Sequence, residues 1–274
     1  WAAKEPALVY VTDRNGPQEI WLRTGNSDRP VVTARSFPPG ETGALVGRAL
    51  SPNADRVIYG RRTGGSARLW ISAVSGGAPT PLTNETEGEE FTVGSWSPDG
   101  SWFVYRAMRK EGKIDLMKVK TTGQAAPITL KANFMGAMPS WSPAGDWIAI
   151  GQELISPDGK TTRPLGSKGI SNHMFSAGGN LVMFSADGKL VYGIRSTGER
   201  NILFSVDIAT GVEKVLGDLG KDYSPATASN LSLAPDGKSF VYDVRKSKSN
   251  LWMLEGFEPK TGLFARFIRQ AAAR

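Results

Sequence analysis

Basic side chains recur at set points along this 274-residue chain: Arg14; Arg61 and Arg62; Arg106 with Arg109 and Lys110; Arg195 with Arg200; and Arg245 with Lys246 and Lys248. A guanidinium presents a planar fork of donors that matches the oxygens of a carboxylate or phosphate. If Arg14, Arg62, Arg106, Arg195 and Arg245 are brought to one surface, they form a basic rim that would take a protein or small anionic ligand. Polar hairpin tips are also what any folded chain exposes, so the cluster equally suits a solvated surface.

Residues for catalysis are sparse by comparison. There is no cysteine, which removes thiolate nucleophiles, thiolate metal sites and disulfides together. His173 is the only histidine, too few for a histidine-rich metal site. No Gly-x-Ser-x-Gly elbow occurs, and the serines have no base beside them in sequence. Glu87, Glu89 and Glu90 offer paired carboxylates, but such an acidic run on a loop is commonly a solvated face. The expectation is a chain that is not an enzyme and carries no metal and no cofactor. The formal charge of +7 and pI near 9.6 admit an acidic partner. Nucleic acid is disfavoured because the basic residues are scattered and no recognised binding motif is present.

The elements that must position the arginines follow from a repeat. Trp96-Ser97-Pro98-Asp99-Gly100-Ser101-Trp102-Phe103-Val104-Tyr105 returns as Trp141-Ser142-Pro143-Ala144-Gly145-Asp146-Trp147-Ile148-Ala149-Ile150 and as Leu233-Ala234-Pro235-Asp236-Gly237-Lys238-Ser239-Phe240-Val241-Tyr242. Weaker copies begin at Leu50 and Phe184, and a degenerate one at Trp1. The second residues of the six copies are positions 2, 51, 97, 142, 185 and 234, at intervals of 49, 46, 45, 43 and 49 residues. A period of this size marks a propeller or array. In the motif, an apolar strand ends, proline fixes one φ, aspartate bonds the local backbone, glycine takes a positive φ, and a second strand begins.

Each unit continues into a third run, such as Arg68-Leu69-Trp70-Ile71 or Asn201-Ile202-Leu203-Phe204, and then a fourth, such as Thr80-Pro81-Leu82-Thr83. Proline stands in four of the five fourth runs, where an outermost strand loses nothing by lacking an N–H. The fold class expected is all-β, a six-bladed β-propeller with four-stranded antiparallel blades. The whole of 1–274 would be one domain, with blades at about 1–40, 41–86, 87–132, 133–176, 177–222 and 223–274. Trp1 aligns with the end of an innermost strand, so blade one is expected to lack that strand in this chain. The tail Leu263-Phe264-Ala265-Arg266-Phe267-Ile268 suits either a closing strand or an amphipathic helix. Two near-copies fall out of phase: Ile155-Ser156-Pro157-Asp158-Gly159 reads as the third-to-fourth strand turn of a shortened fourth blade, and Phe175-Ser176-Ala177-Gly178-Gly179 as loop. The basic residues then fall on the hairpins joining second to third strands, which all emerge on one rim. No stretch reaches the apolar length of a membrane span.

The Ser-Pro-Asp-Gly repeat and its spacing resemble the propeller of TolB-like, WD40-like proteins. Leu190-Val191-Tyr192-Gly193-Ile194-Arg195, Val206-Asp207-Ile208-Ala209-Thr210-Gly211 and Asn250-Leu251-Trp252-Met253-Leu254-Glu255-Gly256-Phe257 are similar to the C-terminal propellers of bacterial, especially acidobacterial, serine/threonine kinases and winged-helix regulators. That resemblance implies a periplasmic or extracellular module that binds a protein or small ligand, a sensor or interaction domain tethered behind a kinase or winged-helix domain. Two other readings stay open: the propeller of a prolyl-oligopeptidase-like peptidase whose catalytic domain is absent, and a polysaccharide-acting enzyme.

Overall fold

The computed structural model describes residues 2–37, 43–63, 66–84, 90–109, 111–123, 125–134, 138–150, 153–165, 183–196, 200–219, 231–234 and 239–242. The chain divides into two compact units, Trp1–Val244 and Arg245–Arg274, and the second lies outside the described residues, as do Phe175–Gly179 and His173.

Strands follow one another in antiparallel ladders. The first sheet joins β1 (Ala7–Thr12), β2 (Glu19–Thr24) and β3 (Ser27–Val32). The second runs β4 (Ala44–Leu50), β5 (Arg56–Thr63), β6 (Ser66–Ala73) and β7 (Thr80–Pro81). The third comprises β8 (Glu90–Trp96), β9 (Trp102–Met108), β10 (Ile114–Lys120) and β11 (Ile128–Lys131). The fourth has β12 (Ser140–Trp141), β13 (Ile148–Ala149), β14 (Glu153–Ile155) and β15 (Thr162–Pro164). The fifth has β16 (Met183–Phe184), β17 (Leu190–Ser196), β18 (Asn201–Asp207) and β19 (Glu213–Asp218). The first sheet has three strands because β1 follows its turn as β5 and β9 follow theirs, in the second-strand place. Among the described residues no helix is long and apolar enough to cross a membrane.

The expectation of six four-stranded blades needs correction, because the described residues form five blades. The sixth repeat contributes only the pair β20 (Leu231–Leu233) and β21 (Phe240–Tyr242). The repeat counts turn motifs, and a turn motif requires two strands; it does not require the third and fourth strands of a finished sheet. The runs expected to supply those strands lie outside the described residues.

All six motifs share one backbone hydrogen bond. The N–H of the motif's second residue donates to the carbonyl five residues on: Ala2 to Ala7, Ser51 to Arg56, Ser97 to Trp102, Ser142 to Trp147, Ser185 to Leu190 and Ala234 to Ser239, all at 2.8–2.9 Å. Where that residue is serine, its hydroxyl works in both directions. Ser97 Oγ donates to Asp99 at 2.5 Å and accepts from Trp102 N at 2.9 Å; Ser185 Oγ donates to Asp187 and accepts from Leu190 N. In the fourth copy Asp146 replaces the missing motif aspartate, accepting from Ser142 Oγ at 2.6 Å. The out-of-phase Ser156-Pro157-Asp158-Gly159 makes the same bonds and does join a third strand to a fourth. Ala54 occupies the motif's glycine position with φ 58°, a conformation that costs an alanine what it spares Gly100.

Hydrogen bonding holds the motif carboxylates ionised. Ser101 and Ser97 lower Asp99 to about 2, and Ser156 and Ser185 depress Asp158 and Asp187 in the same way. A depressed carboxylate adds stability above its unfolded pKa, and loses that contribution as pH falls through the folded value. Asp99→Asn is therefore expected to cost about 1 kcal/mol at neutral pH, the net worth of a solvent-screened turn bond. The gap in melting temperature between variant and parent should close between the ordinary carboxylate range and about pH 2. A gap that stays constant across that window would place the effect elsewhere than in the charge.

Period-two alternation sends successive residues to opposite faces of a blade, and each face meets the next blade. Blades one and two share a core of Val9, Ile20, Leu22, Val57 and Tyr59. Blades two and three meet at Ile58, Leu69, Phe91, Phe103 and Tyr105. Val104 and Leu116 of blade three meet Trp141, Ile148 and Ile155 of blade four. Ala149 and Leu154 of blade four meet Val191, Phe204 and Val206 of blade five. Each of these four clusters spans two blades, whereas Ile194 and Leu203 of blade five cluster with Met183 and Leu219 beside them, so the blades depend chiefly on their neighbours to exclude water.

Candidate functional site

Four of the arginines singled out from sequence, Arg14, Arg62, Arg106 and Arg195, lie on second strands or the hairpins that follow them. Arg14 follows β1, is exposed, donates from Nη2 to Tyr10 Oη at 2.7 Å and lies 4.5 Å over the Trp21 ring. Arg62 lies exposed near the end of β5, opposite Ala44 and Ala67. Its neighbour Arg61 points to the other face, is buried, and stacks 3.8 Å over Phe37, which meets Trp70 edge-on. Arg195 pairs with Ile202 between β17 and β18, but its side chain lies outside the described residues, as does the whole of Arg245. Arg14, Arg62, Arg106 and Arg195 fall toward the same end of their blades without sharing a repeated strand position, since in the motif alignment Arg106 corresponds to Gly60 and Arg62 to Met108.

Arg106 differs from the rest. On β9 it shares a face with Val104, so its side chain emerges from the blade-three side of the core shared with blade four. The side chain is half-buried, its guanidinium lies 5.9 Å over the Phe134 ring, and its Nε is shut from solvent with no hydrogen-bond partner among the described residues. Burial pushes the guanidinium pKa below its ordinary value, and nothing offsets that push. A buried donor without a partner is costly, and more so on a charged group.

Other charged groups of blade three are already paired. Asp115 accepts from Arg109 Nε at 2.9 Å and from Asn133 N at 3.0 Å, and is held below the ordinary carboxylate range by these bonds against its own desolvation. Glu153 pairs with Lys131 across blades three and four. On the same rim Arg200 pairs with Asp218 at 2.9 Å. Cations whose position allows it are thus neutralised locally, whereas Arg106 presents a partly desolvated guanidinium with an unspent donor. That arrangement suits the fork of an incoming carboxylate or phosphate.

Sequence reasoning missed a cleft on the opposite rim. A space of about 350 Å³ opens between the motif turns of blades three and four, lined by Ser97, Pro98, Asp99, Trp102, Trp141 and Gly145. Its polar groups already serve the turns: Ser97 and Asp99 bond each other, Trp141 Nε1 donates to Gly145 O at 3.3 Å, and Lys118 stacks on Trp102 while donating to Pro157 O. The signal for it was present in the two tryptophans of adjacent motifs. The cleft follows from how successive turns abut, for a Cβ on Gly145 would sit 3.8 Å from Pro98. Glu90 is on β8 with its side chain outside the described residues, and Glu87 and Glu89 are outside them altogether. Among the described residues no group of three or more His, Asp or Glu could hold a metal.

No family model matches the chain, and no curated protein matches it. Solved structures do. The putative TolB from Agrobacterium tumefaciens aligns with a TM-score of 0.59 at 18% identity, over 85% of this chain and 88% of that one. TolB from Acinetobacter baumannii aligns with a TM-score of 0.65 at 17% identity, over 88% of this chain and 58% of that one. An oligogalacturonate lyase in complex with manganese aligns with a TM-score of 0.59 at 16% identity, over 88% and 68%. The chain has a TolB-like β-propeller fold, and at these identities the likeness extends to fold alone.

Proposed function

We propose that the propeller is a non-catalytic binding module that takes a carboxylate or phosphate of a protein or small anionic ligand at the rim of its second-to-third strand hairpins. Within the resemblance drawn from its sequence, it is the sensor or interaction domain of a larger bacterial signalling or envelope protein, facing the periplasm or cell exterior. A single observation carries the reading: the half-buried Arg106 guanidinium keeps Nε shut from solvent with no hydrogen-bond partner among the described residues, at the edge of an inter-blade core. Retaining such a group costs stability unless something else pairs with it. Arg62 and Arg14 lie on the same rim and add long-range attraction for a negative partner. The fold neighbours include a putative TolB and an oligogalacturonate lyase, so the fold does not choose a role and the site is the ground for the reading.

Fluorescence anisotropy with a labelled hexaglutamate peptide tests this. Binding to the unaltered protein should weaken as salt is raised. Arg106→Gln should reduce affinity about tenfold or more, as loss of a charged, desolvated contact does. Lys160→Ser, which removes an exposed cation from the opposite rim, should leave affinity unchanged. Equal binding by the Arg106→Gln protein and its parent would overturn the proposal, as would equal losses at Arg106 and Lys160.

A further inference from the structure

Blades one and two carry the same aromatic pair, and only one pair is filled. In blade two Tyr59 on β5 and Trp70 on β6 are cross-strand partners. Phe37, from the connection after β3, meets both edge-on with ring centroids 6.4 Å and 5.5 Å away, and Arg61 lies 3.8 Å over the Phe37 ring. The motif alignment sets Tyr10 on Tyr59, and Trp21 is its partner across β1 and β2 as Trp70 is that of Tyr59. Tyr59 is fully buried, whereas Tyr10 and Trp21 are half-buried. Among the described residues no third ring meets them. What covers them is Arg14, an exposed side chain 4.5 Å over the Trp21 ring and 5.6 Å over that of Tyr10. It donates to the Tyr10 and Thr12 hydroxyls and has no carboxylate partner among the described residues. Asp28, close enough to feel its charge, is held by two nitrogens of Arg23 at 3.0 Å, and Glu19 accepts from Trp21 Nε1 and Asn15 Nδ2.

We infer that Tyr10 and Trp21 form a slot for a phenylalanine of an acidic partner peptide, with Arg14 turning from the slot onto the incoming ring and a carboxylate beside it. Blade two supplies the form of the occupant: its pair holds a phenylalanine on extended backbone, Phe37 having φ −117° and ψ 159°. An exposed cation over a ring is held weakly. Edge-on ring contact with its burial is the stronger interaction, so a phenyl ring displaces Arg14 from the pair. Arg61 on Phe37 shows where a guanidinium then goes. A stacked guanidinium keeps its edge donors, and these fork onto a carboxylate. The formal charge of +7 favours an acidic segment over a basic one. An aromatic anchor with a charged contact at its margin is the common form of a binding hot spot. Arg106 plays no part, so this inference and the reading of that residue stand or fall separately.

The test follows the tryptophan Nε1–H resonances of the full chain by nitrogen-15 NMR while the tripeptide acetyl-Glu-Phe-Glu-amide is added. Trp21 should shift, because its indole flanks the entering ring. Trp70 should stay in place, because Phe37 already fills its slot. Acetyl-Glu-Leu-Glu-amide at the same concentration keeps the charge, lacks the ring, and should shift Trp21 about fivefold less. Arg14→Gln, a change at an exposed side chain, should weaken binding of the phenylalanine tripeptide about fivefold. Phe37→Ala vacates the slot of blade two, and Trp70 should then respond as Trp21 does; the spectrum of each variant also reports that it is folded. A Trp21 resonance indifferent to the phenylalanine tripeptide, equal shifts from the leucine tripeptide, unchanged binding by Arg14→Gln, or a Trp70 that moves with Trp21 in the unaltered chain would each overturn the inference.

Discussion

Phe103→Ala is expected to lower stability by about 3–5 kcal/mol, and to loosen two blades at once. Phe103 is fully buried on β9, yet the surface it fills belongs as much to blade two as to blade three, where it sits with Ile58 and Leu69 from across the interface. Its ring meets Trp96 edge-on at 5.8 Å, and Trp96 in turn donates from Nε1 to Ala49 O on β4. Truncation removes the transfer energy of a large aromatic and leaves a cavity between two sheets that can only partly close. In a chain of this size the loss corresponds to a fall in melting temperature on the order of 10 °C. Hydrogen exchange should show faster opening in both β6 and β9. Loss of protection confined to blade three would mean that blades have private cores, against the stacking described above.

Gly94→Ala should be nearly as damaging for a different reason. The inner strand β8 carries a bulge against β9, its register shifting between Thr92 and Ser95. Gly94 sits in that bulge, and a Cβ there would lie 1.8 Å from the Val104 carbonyl oxygen and 2.8 Å from its carbonyl carbon. Both obstacles are backbone of a buried strand, so no side chain can swing aside. One methyl group must therefore part β8 from β9, at a cost of more than about 3 kcal/mol. A substitution elsewhere that adds a methyl in open space, such as at Gly217 with nothing within 4 Å, gives the control. Stability within about 0.5 kcal/mol of the parent would contradict the close approach.

Why the propeller was legible is a matter of turn chemistry. Ser97, Pro98, Asp99 and Gly100 each satisfy a separate demand of one tight turn, so the motif survives drift in the strands around it. Even Ala2 and Ala234, which lack the hydroxyl, keep the backbone bond across the turn. The same locality explains the error in counting blades. Leu233 and Phe240 are enough to pair about their turn, and a hairpin is all that motif guarantees.

The site was legible only in part. That Arg61 and Arg62 must face opposite ways follows from the period of a strand, and Phe37 accounts for the buried one. What sets Arg106 apart is not local. Asp115 is taken by Arg109 and Glu153 by Lys131, pairings that span a hairpin and an inter-blade boundary, while Arg106 Nε has no partner among the described residues. A basic run such as Arg106, Arg109 and Lys110 looks uniform in sequence, and only the partners distinguish a neutralised cation from an available one.

The claim at the centre is that Arg106 Nε–H waits for an anion from outside the chain. Nitrogen-15 spectra of the arginine Nε–Hε groups, followed while the hexaglutamate peptide is added, examine that bond itself. The account predicts that the Arg106 resonance moves most and exchanges most slowly with water once the peptide is bound, while Arg61, stacked on Phe37, stays in place. A resonance at Arg106 that does not respond, while exposed arginines such as Arg14 shift together, would contradict it.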